Sequence, residues 1–200
     1  MTSNVIPLPT SSQEFMPFEQ MVTNLFKTTD MNRKMDALLH AFLGISTEVW
    51  ELNRSNIISR ENLIEEYGDL LFYVEAARQS LLLIVSREFG ENDILAVRLI
   101  DLPSVNLPSI SASTLEKEVG NAMDLVKKLW VYHKESAAIY ERLYMHLFDI
   151  LGILKYRFEI EGISAEDVIR RNQTKLGKRY PNGVYSNSDA IARADKDSAN

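Results

Sequence analysis

The chain is 200 residues long, 46% hydrophobic and 25% charged, enough for one compact domain with a core of its own. Its formal net charge of -6 and pI near 5.2 argue against recognition through a broad basic surface, so no nucleic-acid polymer is expected as partner. Cysteine is absent, which excludes disulfides and thiolate metal sites and leaves oxygen or imidazole to ligate any cation.

The opening residues, MTSNVIPLPTSSQEFMPF, have neither a basic stretch nor an apolar run, so residues 1–16 read as a flexible segment and not as a signal peptide. The longest apolar run, around Leu81 to Val85, falls far short of a bilayer span; no membrane partner is expected, and a cytoplasmic location is. A first short helix is expected from Pro17 to Lys27, with Phe18, Met21, Val22, Leu25 and Phe26 on one side. A second should start near Asp30 or Asn32 as N-cap and run to Asn53, its apolar repeat carried by Leu38, Leu39, Phe42, Ile45, Val49 and Leu52. Ser59 opens a third, to Arg87, with Leu70, Leu71, Val74 and Ala77 inward. Pro103 and Pro108 mark an extended linker between Phe89 and Ser113. A fourth helix is expected from Thr114 to Lys134 and a fifth from Ser136 to Glu161, stopped by Gly162. Ser164 caps a sixth, to Lys175, and the residues after Tyr180 read as a polar tail. The expected fold is therefore all-α: a four-helix core of two helical hairpins with short extra helices, as a single domain over 17–180 followed by the tail over 181–200.

Two acidic pairs stand out. Glu48 and Glu51 are three apart on the second helix and Glu66 and Asp69 three apart on the third, so each pair shares a helix face. If the helices form an antiparallel hairpin, the two clamps meet at similar height. Acidic residues at this spacing are usually just a solvated face. Here Ile45, Val49, Trp50 and Leu52 border the first pair and Tyr67, Leu70, Leu71, Phe72 and Tyr73 the second, and four carboxylates beside a core repel one another and lose hydration unless a cation joins them. An all-oxygen set suits Mg2+, with Mn2+ as a substitute, and leaves positions for water and phosphate oxygens. None of His40, His133 and His146 stands three residues after a glutamate, so a ferritin-like di-iron site is set aside; no GxxxxGK[ST] loop occurs either.

TEVWE at Thr47 to Glu51, then EYGD at Glu66 to Asp69 after fourteen intervening residues, resembles the EExxE…ExxD pattern of the MazG-like all-α nucleoside triphosphate pyrophosphohydrolases, particularly their compact phage-type members. Thr47 departs from that pattern, in which a glutamate stands. NQTKLGKRYPNG, Asn172 to Gly183, looks like the family's N-x-x-K-L-x-x-R-Y-P segment, and DLVKKLWVYHK, Asp124 to Lys134, more weakly resembles a helix bearing a lysine pair and an aromatic. The resemblance implies a MazG-like architecture and hydrolysis of a nucleoside or deoxynucleoside triphosphate between the α and β phosphates, giving monophosphate and pyrophosphate. It implies that Glu48, Glu51, Glu66 and Asp69 hold the catalytic metal, one of them serving as general base. Lys175 and Arg179 would bring positive charge to the triphosphate, Asn172 would bond phosphate or sugar, and Tyr180 would cap the pocket. Lys127 and Lys128 are further phosphate candidates, though such pairs usually face water. Trp50 and Trp130 are candidates to stack on the base, with core packing the default for both, and His40 could touch substrate but reads more simply as a structural histidine. A homodimer or homotetramer is expected, both from the apolar area that two long hairpins leave uncovered and from the resemblance.

Alternatives within the superfamily are a phosphoribosyl-ATP pyrophosphohydrolase or a dUTP/dCTP-specific enzyme. From another class, the chain could be a non-catalytic metal- or nucleotide-binding helical sensor, a possibility that Thr47 keeps open.

Overall fold

A computed structural model describes residues 16–27, 34–55, 59–89 and 112–196. Among them are seven helices and no strand: α1 Phe18–Leu25, α2 Lys34–Ser55, α3 Arg60–Phe89, α4 Ala112–Trp130, α5 Ala137–Glu161, α6 Ala165–Arg179 and α7 Asn187–Ala192. The fold is all-α, and no helix among the described residues is long and apolar enough to cross a membrane. The expected caps at Asp30 and Asn32 and the linker around Pro103 and Pro108 lie outside the described residues.

The apolar repeat decides the packing. Leu38, Phe42, Ile45, Val49 and Leu52 of α2 are buried against Leu63, Tyr67, Leu70, Val74, Ala77 and Leu81 of α3, at the three- and four-residue spacing of one helix face. α2 also packs on α4, and α5 on both α4 and α3, closing a four-helix ring whose core includes Leu115, Leu125, Leu129, Leu143, Ile150 and Leu154. Burying a side chain of this size contributes about 2 kcal/mol, so the ring interior is the main source of stability.

Local chemistry sets the ends. Ser136 caps α5 by accepting from the Ile139 amide at 3.4 Å, and Gly162 ends it in the left-handed region at φ 61°. Ser59 accepts from the Asn62 amide at 3.1 Å before α3, and Ser164 from the Asp167 amide at 3.4 Å before α6. α4 stops at Trp130, short of the expected Lys134, where Val131 and Tyr132 form a turn and His133 takes a positive φ of 50°. α6 runs instead past the expected Lys175 to Arg179, so Asn172, Lys175 and Arg179 share one helix.

The start of α3 is fastened to the end of α5. The Arg60 guanidinium donates to the carbonyls of Glu161 and Gly162 at 3.1 and 3.0 Å, and the Tyr67 hydroxyl donates to the Glu161 carboxylate at 2.9 Å. The chain leaving α5 is thereby held beside the acidic part of α3, and α6 lies along it. Residues 181–196, expected as a tail, fold back onto α1 and the end of α6: the Tyr185 amide donates to the Asn24 carbonyl at 3.2 Å, and the Tyr180 and Tyr185 rings are 5.7 Å apart.

Candidate metal and anion site

Glu48 and Glu51 of α2 and Glu66 of α3 each place a ligand oxygen within 4.8 Å of the others. The hairpin thus brings both acidic clamps to one height, Glu48 and Glu66 half-buried and Glu51 exposed. Burial, then Asp69, Glu51 and Glu66, push the Glu48 carboxyl up to about 8, while Lys175 pulls the other way. Burial, then Glu51, Asp69 and Glu65, push Glu66 up to about 7.

Asp69 is supported differently. Both its oxygens accept from the Lys175 ammonium at 2.5 Å, and Oδ1 accepts from the Asn172 amide at 2.9 Å. Lys175 also reaches Glu65 at 3.3 Å. Asn172 is 3% exposed, and its Oδ1 has no hydrogen-bond partner, an acceptor left open beside the acidic set. Its approach depends on Gly68, where a Cβ would lie 2.9 Å from the Asn172 Cβ. The oxygen-only donors, the excess of carboxylates and the orphan Oδ1 fit a hard divalent cation such as Mg2+ or Mn2+.

Glu48, Glu51 and Asp69 border a cavity of about 390 Å³ whose other walls are aromatic and cationic: Phe26, His40, Tyr73, Tyr180, Arg179 and Arg193 among them. That volume lies in the range of small-molecule sites. His40 stacks on Phe26 with centroids 4.7 Å apart, and its Nδ1 lies 3.2 Å from the Lys27 carbonyl, which can only accept; Nδ1 therefore carries the hydrogen. Burial, then Glu48 and Asp69, push the Tyr73 phenol up to about 12. Tyr180 is buried, as a wall of the cavity. Arg179 lines it too, with its guanidinium paired to Asp195 through two bonds of 2.6 Å.

Other expected residues are placed elsewhere. Lys127 and Lys128 ion-pair with Asp124 at 2.7 and 2.6 Å on the surface of α4. The cross-links Trp130 to Asp36 and Asn53 to Glu116 make α4 antiparallel to α2, which sets the lysines roughly 10 Å along the axis from Glu48. The structure does not bring them to the carboxylates. Core packing of the tryptophans is corrected: Trp50 is 59% exposed with Arg54 over its ring at 4.6 Å, and Trp130 is 42% exposed with its indole donating to Asp36. Thr47 turns its hydroxyl back to the Gly44 carbonyl at 2.9 Å and stays out of the cluster.

Reasoning from sequence missed Phe26, Tyr73, Tyr185 and Arg193, together with Gly44 and Gly68. The two glycines carried a usable signal, since glycine inside a helix is disfavoured by about 1 kcal/mol and asks for a packing reason. A second group, Glu118, His146 and Asp149, joins α4 to α5; there His146 Nδ1 already lies 2.7 Å from Glu118. No protein-family model, curated protein or solved structure matches this chain.

Proposed function

We propose that this chain is a metal-dependent nucleoside triphosphate pyrophosphohydrolase, cleaving a (deoxy)nucleoside triphosphate between its α and β phosphates to the monophosphate and pyrophosphate. The observation that carries this is the convergence of Glu48, Glu51 and Glu66 from two helices, ligand oxygens within 4.8 Å of one another, beside Asp69 at a cavity with cationic and aromatic walls.

Glu48, Glu51, Glu66 and Asp69 are the residues to hold Mg2+, or Mn2+ in its place. Bound there, the ion supplies Lewis acidity toward phosphate oxygens and offsets charge on the departing pyrophosphate. The chain's own residues position and exclude. Asn172 and Lys175 fix the Asp69 carboxylate from α6, and Arg179, one turn on, brings positive charge to the cavity wall, where an incoming phosphate competes with Asp195 for it. A carboxylate of the set takes the proton of the attacking water. His40, Tyr73 and Tyr180 offer flat apolar surface for a base. The same proposal extends to a homodimer or homotetramer, for which Leu43 and Trp50, 47% and 59% exposed on α2, offer apolar surface.

A nucleotide sensor would keep the site and bind without turnover. Thr47, bonded to its own helix where the family pattern has a carboxylate, is the observation on that side.

Incubation with each common NTP and dNTP, with and without Mg2+, followed by ion-exchange separation of products, tests the proposal. Monophosphate plus pyrophosphate is expected, reduced at least about a thousandfold in Glu51→Gln and Asp69→Asn. A panel including phosphoribosyl-ATP, dUTP and dCTP ranks the substrates. Diphosphate plus phosphate would overturn the bond assignment, and binding without any product would favour the sensor.

A further inference from the structure

Tyr73 stands on α3 one turn beyond Asp69, and its ring crosses the hairpin to lie on the backbone of α2 at Gly44. The fit leaves no room: a Cβ at Gly44 would overlap ring carbons Cγ, Cδ1 and Cε1. Phe72 meets the ring edge-on at 5.5 Å and Phe26 at 6.5 Å, with His40 at 6.0 Å. A helix-interior glycine under an aromatic ring, boxed by three more rings, fixes where the phenol ends.

The hydroxyl is treated unlike the ring. It makes no hydrogen bond among the described residues, whereas the Tyr67 hydroxyl on the same helix is bonded to Glu161. Tyr73 shares the cavity with Glu48, Asp69, Arg179 and Tyr180, and these are also the charged and polar groups whose fields it feels. The oxygens of Asp69 already accept from Lys175 and Asn172. A half-buried phenol in the wall of this cavity, bonded to no described residue, is a donor available to a ligand.

We propose that Tyr73 contacts the substrate, its O–H donating to a non-bridging phosphate oxygen of a polyphosphate seated at the carboxylates, with Gly44 as the residue that positions its ring. This rests on the pyrophosphohydrolase assignment above. A phenol is protonated at neutral pH and donates without adding charge. Phosphate oxygen is the acceptor the site calls for, because an anion held by a cation at the carboxylates would lie in the cavity that Tyr73 lines together with Glu48, Asp69 and Arg179. A base or ribose edge would have to displace that anion to reach the same position.

Calorimetric titration of the full chain with tripolyphosphate in the presence of Mg2+, for wild type, Tyr73→Phe and Gly44→Ala, tests it. Tyr73→Phe keeps the ring and is expected to keep the thermal midpoint and the Mg2+ affinity while losing about tenfold in tripolyphosphate affinity and in kcat/KM. Gly44→Ala keeps the phenol but moves the ring, and is expected to lose affinity in the same direction. Equal affinities in wild type and Tyr73→Phe would overturn the role of Tyr73 and leave the proposed function standing. A lower midpoint accompanying the lost affinity would make Tyr73 a packing residue and overturn it too. Wild type without any Mg2+-dependent tripolyphosphate binding would overturn the function itself, and the Tyr73 contact with it.

Discussion

In α4, the exposed Asp124 pairs with Lys127 and Lys128, and their hydrogen bonds hold its carboxyl down at about 2; in α2 and α3, burial first and then neighbouring carboxylates push Glu48 and Glu66 up to about 8 and about 7. The same contrast exists within α3 itself. Glu75, 1% exposed, is bonded by Arg78 at 2.7 and 2.8 Å and by Gln79 at 2.7 Å, a fully partnered buried acid two turns or so from an unpartnered one. Asp149 is intermediate, raised by burial and Glu118 and drawn back by His146. What separates the regions is whether the fold supplies the counter-charge. Where it does, the acid is structural; where it does not, the proposed function assigns the missing counter-charge to a cation from solution.

The sharpest way to break this comparison is to remove one carboxylate from each class. Glu75→Gln strips Arg78 of its buried carboxylate and is expected to cost about 3 kcal/mol in urea unfolding. A cost below 1 kcal/mol would mean that Glu75 is not the partnered acid it is taken for.

Glu48→Gln is expected to act in the opposite direction in the metal-free protein. The folded-state values of Glu48 and Glu66 lie above their ordinary value of 4.5, so between pH 4.5 and about 8 the folded chain binds more protons than the unfolded one. Stability therefore falls as pH rises through that window, and the loss is complete above about 8. Thermal midpoints in EDTA should drop from pH 5 to pH 8 in wild type. The Gln variant should drop less, standing higher than wild type at pH 8 and equal to it at pH 5. A midpoint that rises with pH, or a Gln variant that is less stable at pH 8, would contradict an uncompensated cluster.

The smallest effect belongs to the compensated surface. Lys127→Ala and Lys128→Ala are expected to leave kcat/KM and the thermal midpoint within error, because both ammonium groups are spent on Asp124 in water. A tenfold loss of kcat/KM in either would place that lysine at the substrate.

Much of this was legible from residue order because it is local. The apolar repeat of Leu38, Phe42, Ile45, Val49 and Leu52 specifies a buried helix face, and the three-residue spacing of Glu48–Glu51 and Glu66–Asp69 specifies two acidic clamps on whatever hairpin forms. Ser136 and Ser164 announce their helix ends by side-chain chemistry, and Gly162 by its backbone freedom. What was not legible depends on contacts distant in sequence. Nothing near Lys175 says that its ammonium will reach Asp69, 106 positions away, and nothing near Arg179 says that the chain will turn back to offer Asp195. Composition cannot tell a packed tryptophan from an exposed one: Trp50 lies on the outer face of α2, two residues from buried Leu52. Gly44 and Tyr73 have meaning only as a pair across the hairpin.

The most direct test of the central claim is divalent-ion binding by the metal-free chain, followed by Mn2+ electron paramagnetic resonance and by Mg2+ calorimetry at pH 7. The expected result is saturable binding accompanied by proton release, since Glu48 and Glu66 are partly protonated until the ion arrives, and loss of that binding in both Glu51→Gln and Glu66→Gln. No saturable binding, or binding untouched by either substitution, would contradict it.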